Sequence, residues 1–186
     1  MLTFISVVLF GISLALWNQR RIARREAFVR NYELPRGLFD NLRKRRPELA
    51  VKDCQLTANA LRQFFLAYLK SGRKYVSMPS QVADDLWHEF ILFTRNYDAF
   101  CKGAFGGFLH HTPAVSVGSG SQAEEGLHTT WWQACKEDHI NPRAPTRLPL
   151  LFALDAKLGV VDGFTYALDC KTAQVTRTSA SGTATP

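Results

Sequence analysis

Asp84 and His88 stand four residues apart in Asp84-Asp85-Leu86-Trp87-His88-Glu89, and Phe108-Leu109-His110-His111-Thr112-Pro113 follows about one helix length later. Three of the five histidines of the chain lie in these two stretches. On a helix, positions i and i+4 project from one face, so Asp84 and His88 present a carboxylate and an imidazole side by side. The His110-His111 pair ends the segment that follows and can fold back toward them. Neutral imidazole is a good ligand for transition metals, and two or three histidines with a carboxylate are the usual donors of a catalytic ion that keeps an open position. Asp84, His88, His110 and His111 are therefore the candidate ligands of a divalent metal, zinc, iron or manganese, or the members of an acid/base pair.

The spacing is not that of the H-E-x-x-H zinc helix, because Leu92 stands where the second histidine would be. Adjacent histidines on a regular element do not share one ion easily, so one of His110 and His111 is expected to point inward and the other toward loop or solvent. In the purely structural alternative, Asp84 and His88 form a surface pair contributing a few tenths of a kcal/mol, roughly 0.2–0.5, and the histidine pair packs beneath Trp87.

The elements that must position these residues are mainly helical. Pro79-Ser80 opens the key helix, with Ser80 as N-cap and Asp84 and Asp85 near the positive end of the dipole. At 100° per residue, Val82, Leu86, Trp87, Phe90, Phe93, Thr94, Tyr97 and Cys101 fill one broad arc, which reads as a single helix running to about Gly103. Asp84, His88 and Arg95 fall at the edge of that arc. Before it, Leu61, Phe64, Phe65, Tyr68 and Leu69 predict a helix over about 57–69, ended by Ser71-Gly72, and Lys74 to Met78 reads as extended. After it, helices are predicted over 123–137 and 150–158, the latter stopped by Gly159. Val160 to Cys170 reads equally as a strand pair or a loop. Ala114 to Gln122, with its Gly-Ser alternation, is expected to be a flexible flap or insertion. From Lys171 the Ser/Thr/Ala composition predicts a disordered tail.

Length and composition set the frame. A chain of 186 residues, 46% hydrophobic and 21% charged, suits one domain with a proper core. Its net charge of +7 is concentrated in Arg20, Arg21, Arg24, Arg25 and Arg30 and in Arg43 to Arg46. Residues 1–17 carry no charged side chain, and as a helix they would span roughly 25 Å. With arginines after the apolar run rather than before it, the flanking charges predict a retained single-pass anchor, N-out, with the domain cytoplasmic. A removed signal peptide is the competing reading, since Ser13-Leu14-Ala15 is a small-x-small triplet. The expected organisation is thus an anchor over 1–17, a basic juxtamembrane segment over 18–33, a helical domain over 34–170 and a tail over 171–186. The arginines from Arg20 to Arg30 would meet anionic lipid, which ranks nucleic acid low as a partner. Cys54, Cys101, Cys135 and Cys170 are widely spaced without a C-x-x-C pair and read as packed, reduced thiols.

The run from Met78 to Cys101, with its Asp-x-x-Trp-His, and the continuation to the His-His-x-Pro of residues 110–113 resemble the glycine-rich domain-containing protein-like family over residues 55–113. The resemblance implies that Asp84, His88 and the 110/111 pair act as one site, and it brings no assigned reaction. Its glycine-rich region and further domains have no counterpart here. The functional expectation is a membrane-anchored helical protein with an Asp/His metal or acid/base site, metal-assisted hydrolysis being the least demanding chemistry. The alternative is a non-catalytic module that recruits a protein partner to the membrane, the motif being structural.

Overall fold

The computed structural model describes residues 2–111, 121–169 and 174–178. Seven helices and a terminal hairpin follow in order: α1 (Leu2–Asn31), α2 (Leu38–Arg45), α3 (Val51–Lys70), α4 (Gln81–Leu92), α5 (Thr94–Phe105), α6 (Ser121–Glu137), α7 (Leu150–Leu158), β1 (Thr165–Asp169) and β2 (Gln174–Thr178). The mainly helical expectation agrees with this, and the 160–170 stretch resolves into β1. Its partner β2 lies in the span read as a tail, because antiparallel pairing from Thr165↔Thr178 to Asp169↔Gln174 satisfies backbone groups whatever the side chains are. Of the Gly-Ser stretch from Ala114 to Gln122, residues 114–120 lie outside the described residues while Ser121 and Gln122 open α6; residues 1, 112–113, 170–173 (with Cys170) and 179–186 also lie outside them.

The central element is α3, which packs against α1, α2, α4, α6 and α7. Its start is fixed by Asp53, whose carboxylate accepts the Ala50 N–H at 2.9 Å. Apolar residues run around most of its circumference, and Leu61, Phe64, Phe65 and Leu66 are all buried. An α-helix with so wide an apolar arc is stable only when other helices cover it. Phe65 meets Trp87 of α4 edge-on at 5.7 Å and Phe100 of α5 at 4.9 Å, so one aromatic residue joins three helices.

One sequence expectation fails inside the key region. The single helix from Ser80 to about Gly103 is two helices, broken at Phe93 (φ −80°, ψ 60°). The break is needed for packing. Trp87 and Tyr97 would be about 15 Å apart along a continuous helix, yet the Trp87 indole N–H donates to the Tyr97 hydroxyl at 3.1 Å. Folding at Phe93 turns Phe90 and Tyr97 edge to face at 5.3 Å and leaves Leu92 70% exposed at the corner. Arg95, expected beside Asp84 and His88, is carried past the corner onto α5 and is exposed.

The expected membrane anchor is overturned. Among the described residues no helix is long and apolar enough to cross a membrane. From Leu2 to Trp17 the apolar stretch rises about 24 Å, short of a hydrocarbon core of about 30 Å, and the same helix continues directly into Asn18, Gln19, Arg20 and Arg21. The single-pass assignment of residues 1–17 and the cell-membrane, N-out placement with a cytoplasmic domain fall with it. Nor is the 18–33 segment merely a basic link. Val29 is fully buried, and Phe28 stacks on Phe100 at 6.1 Å. Gly103 makes that contact possible, since a β-carbon there would come within 2.6 Å of the Phe28 ring.

Two buried carboxylates clamp the ends of the site-bearing region. Asp155, the lone acid within the apolar α7, accepts from the Ser80 hydroxyl (2.7 Å) and from the backbone N–H groups of Gln81 (2.6 Å), Val82 (3.2 Å) and Phe164 (2.8 Å). It thereby satisfies the free donors at the start of α4 and fixes the approach to β1. Ser80 is the N-cap of α4, accepting the Ala83 N–H at 3.2 Å. Asp85 pairs with Arg46 at 2.8 Å and holds α2 against α4, while the same guanidinium reaches Asp162.

Candidate metal centre

The site is built on the first two turns of α4 and on the segment after α5. Asp84 lies on the exposed edge of α4, one turn before His88, and its carboxylate is bracketed by two imidazoles. His111 Nε2 lies 2.9 Å from Asp84 Oδ1, and His88 Nδ1 lies 3.4 Å from Asp84 Oδ2. The two rings lie with centroids 4.2 Å apart, tilted by 55° to one another. The side chain of His111 is the most enclosed at 9% exposure, against 23% for Asp84 and 40% for His88.

His88 Nδ1 also lies 2.9 Å from the backbone carbonyl oxygen of Asp84. Only a protonated nitrogen can donate to a carbonyl, so this contact places a proton on Nδ1, and in the neutral ring that leaves Nε2 its lone pair. A backbone carbonyl orienting an imidazole in this way is the usual outer support of a metal-ligating histidine.

His111 reaches Asp84 because its segment is tied to the corner formed by α4 and α5. The Tyr97 hydroxyl donates to the Leu109 carbonyl at 2.6 Å while accepting from Trp87, and the Trp87 ring then packs edge-on against His111 at 4.5 Å. Burial drives the Tyr97 hydroxyl far above its ordinary pKa, so it remains a neutral donor.

Of the four candidate ligands, Asp84, His88 and His111 come together, each offering a donor atom within 4.8 Å of the others. His110 is exposed, sits beside Phe108 at 4.9 Å and is outside this group. His128 and His139 are exposed on or after α6. Neighbouring donors on one tetrahedral ion with bonds of about 2.1 Å stand about 3.4 Å apart, so an ion would draw the three groups together. The present Asp84–His111 separation is already within that spacing. The remaining coordination positions would be free for water or ligand.

Beside the triad lies a cleft of about 430 Å³, with Asp84, His110 and His111 in its wall. Its far wall is formed by Ala123 and Leu127 of α6 and by Phe164 and Tyr166 at β1. These are contributions that sequence reading missed, because no local pattern announces which distant element will cover a site. Asp155 was missed too. Its one signal was an acid inside an otherwise apolar helix.

Cys54, Cys101 and Cys135 are buried and unpaired, and burial raises all three thiols, Cys135 to about 12. They are packed, protonated groups rather than nucleophiles.

No curated protein and no solved structure matches the chain. The match found among protein families covers nearly the whole chain from α1 to the C-terminal region, and it corrects the resemblance read from Asp-x-x-Trp-His and His-His-x-Pro. The motifs alone pointed to the glycine-rich domain-containing protein-like family, whereas the extended match is to a different family of uncharacterised function. On that match, over residues 24–185, this protein belongs to the UCP032817-like family.

Proposed function

We propose that Asp84, His88 and His111 bind one divalent metal ion, zinc, iron or manganese, and that the protein uses it in the adjoining cleft for metal-assisted hydrolysis. The observation that supports this reading is the convergence of one carboxylate and two imidazoles from two separate elements, with the His88 tautomer set by the Asp84 carbonyl. A simple i,i+4 surface pair would not require His111, which comes from 27 residues away to the same carboxylate.

A bound ion of this kind supplies Lewis acidity and lowers the pKa of coordinated water. The chain's own part is to hold the donors. Asp84 bridges the two imidazoles, and Trp87 closes one side of His111. Because imidazole and carboxylate must be free of their protons to ligate an ion, affinity falls as the medium becomes more acidic.

Elemental analysis of the full chain after incubation with zinc, iron or manganese tests the reading. About one ion per chain is expected, lost in folded Asp84→Ala, His88→Ala and His111→Ala proteins and kept in His110→Ala. No bound ion under any of these conditions overturns it.

A further inference from the structure

The cleft beside the triad has a chemical character that neither the metal donors nor the fold accounts for. Among the described residues no lysine or arginine lines this cleft, and Asp84 is the one carboxylate that does. The remaining wall is largely apolar and aromatic, including Phe64, Trp87, Met78, Leu109 and Leu127, with Ser77, Gln81 and His110 among its polar members. At about 430 Å³ it falls within the size range of small-molecule sites, roughly 300–1,000 Å³.

Its walls are also held in place. Gly126 lets α6 approach the Tyr75–Ser77 segment so closely that a β-carbon would meet the Ser77 hydroxyl at 2.5 Å and the Tyr75 ring at 2.6 Å. The Ser77 hydroxyl donates to the Ala123 carbonyl at 3.0 Å, and the Thr130 hydroxyl donates to the Ser77 carbonyl at 2.9 Å. The opening between α6 and α4 is therefore a property of the packed structure.

We infer that this cleft takes an uncharged, mainly apolar small molecule that presents a single oxygen or nitrogen donor to the triad. The inference rests on the metal reading, because the charge at the end of the cleft depends on the ion. A divalent ion on Asp84 leaves a net charge of about +1 there, which opposes an organic cation. A phosphate ester or dicarboxylate would find no lysine or arginine among the described residues of the cleft and would lose hydration against aromatic walls. A neutral ligand loses little hydration and gains apolar contact along the cleft, while one lone pair can complete the ion's coordination.

The test is fluorescence titration of the zinc-treated full chain with three naphthyl probes: neutral N-phenyl-1-naphthylamine, anionic anilinonaphthalene sulfonate and a cationic naphthyl trimethylammonium. Each is repeated with Ala123→Trp, which fills the cleft from α6, and with Val76→Phe, which fills it from the facing segment; circular dichroism monitors folding. Only the fluorescence lost in a folded cleft-filling variant is scored, which removes binding to the apolar start of α1. The neutral probe should saturate one site at least tenfold more tightly than either charged probe. Equal or tighter binding of a charged probe, or neutral binding untouched by both variants, overturns the inference. Zinc is counted in the same samples. One zinc without cleft binding of the neutral probe overturns the ligand class alone, and cleft binding without zinc overturns the metal reading alone.

Discussion

The Tyr97 hydroxyl donates to the Leu109 carbonyl across 2.6 Å and fastens the segment that carries His111 to α5. Tyr97 is buried, and its oxygen also accepts the Trp87 indole N–H, so one atom joins α4, α5 and the segment bearing the second imidazole.

Tyr97→Phe should keep the ring packing against Phe90 and remove both hydrogen bonds. The loss leaves a buried indole donor and a buried carbonyl with one partner fewer, costing about 1–3 kcal/mol in urea unfolding. Zinc affinity should fall about tenfold, as for loss of an outer support to a metal ligand, measured by competition with a chromophoric chelator. Unchanged zinc affinity would show that His111 is positioned without Tyr97.

Asp155→Asn tests the clamp at the start of α4. The amide cannot accept from four donors as the carboxylate does, and the charge opposite the positive end of the helix is lost. A destabilisation of about 3 kcal/mol is expected in chemical denaturation, the usual size for breaking a buried charged network. Because the clamp touches Ser80, Gln81 and Val82, zinc affinity should weaken as well.

Arg46 should show strong coupling to Asp85. Arg46→Met leaves the Asp85 carboxylate buried with the more distant Arg45 at 3.6 Å and the Gln81 amide at 3.4 Å, so a loss of about 2–3 kcal/mol is expected. The Arg46→Met/Asp85→Leu double variant should lose less than the sum of the two single variants. Additive losses in thermal unfolding would show that the pair is not coupled.

Glu137 links α6 to Arg30 of α1 and Lys70 of α3. The Arg30 hydrogen bond holds its carboxyl below the usual range against the opposing effect of burial, and Lys70 adds to the depression. A folded-state value below the unfolded one means that this stabilisation is complete above the unfolded value, about 4.3. It disappears as pH falls through the folded value. Glu137→Gln should therefore be less stable near neutral pH, by about 1 kcal/mol given the partly exposed partners. The difference from the unmodified protein should shrink as pH is lowered from about 5 to about 3.

Local chemistry was legible in the residues. The i,i+4 spacing put Asp84 and His88 on one face, Ser80 marked the N-cap of α4, Gly159 marked the end of α7, and the periodicity of the future α3 announced a buried helix. Each of these depends on neighbours within one or two turns, which the sequence contains. The apolar stretch of α1 was just as visible, but the span needed to cross a bilayer is a threshold of length as well as hydropathy. Within the described residues Arg20 and Arg21 follow too soon.

Tertiary structure decided the rest. The corner at Phe93 has no signal in a continuous apolar arc, because it is set by Trp87 reaching Tyr97 rather than by any residue's own preference. The choice of His111 over His110 for the triad follows from how Leu109 is tied to Tyr97, and the four donors gathered by Asp155 come from two segments, residues 80–82 and Phe164. Sequence thus determined which groups were available for chemistry. Long-range packing determined which of them meet, because the distance between residues far apart in the chain is fixed only when the intervening helices close on a common core.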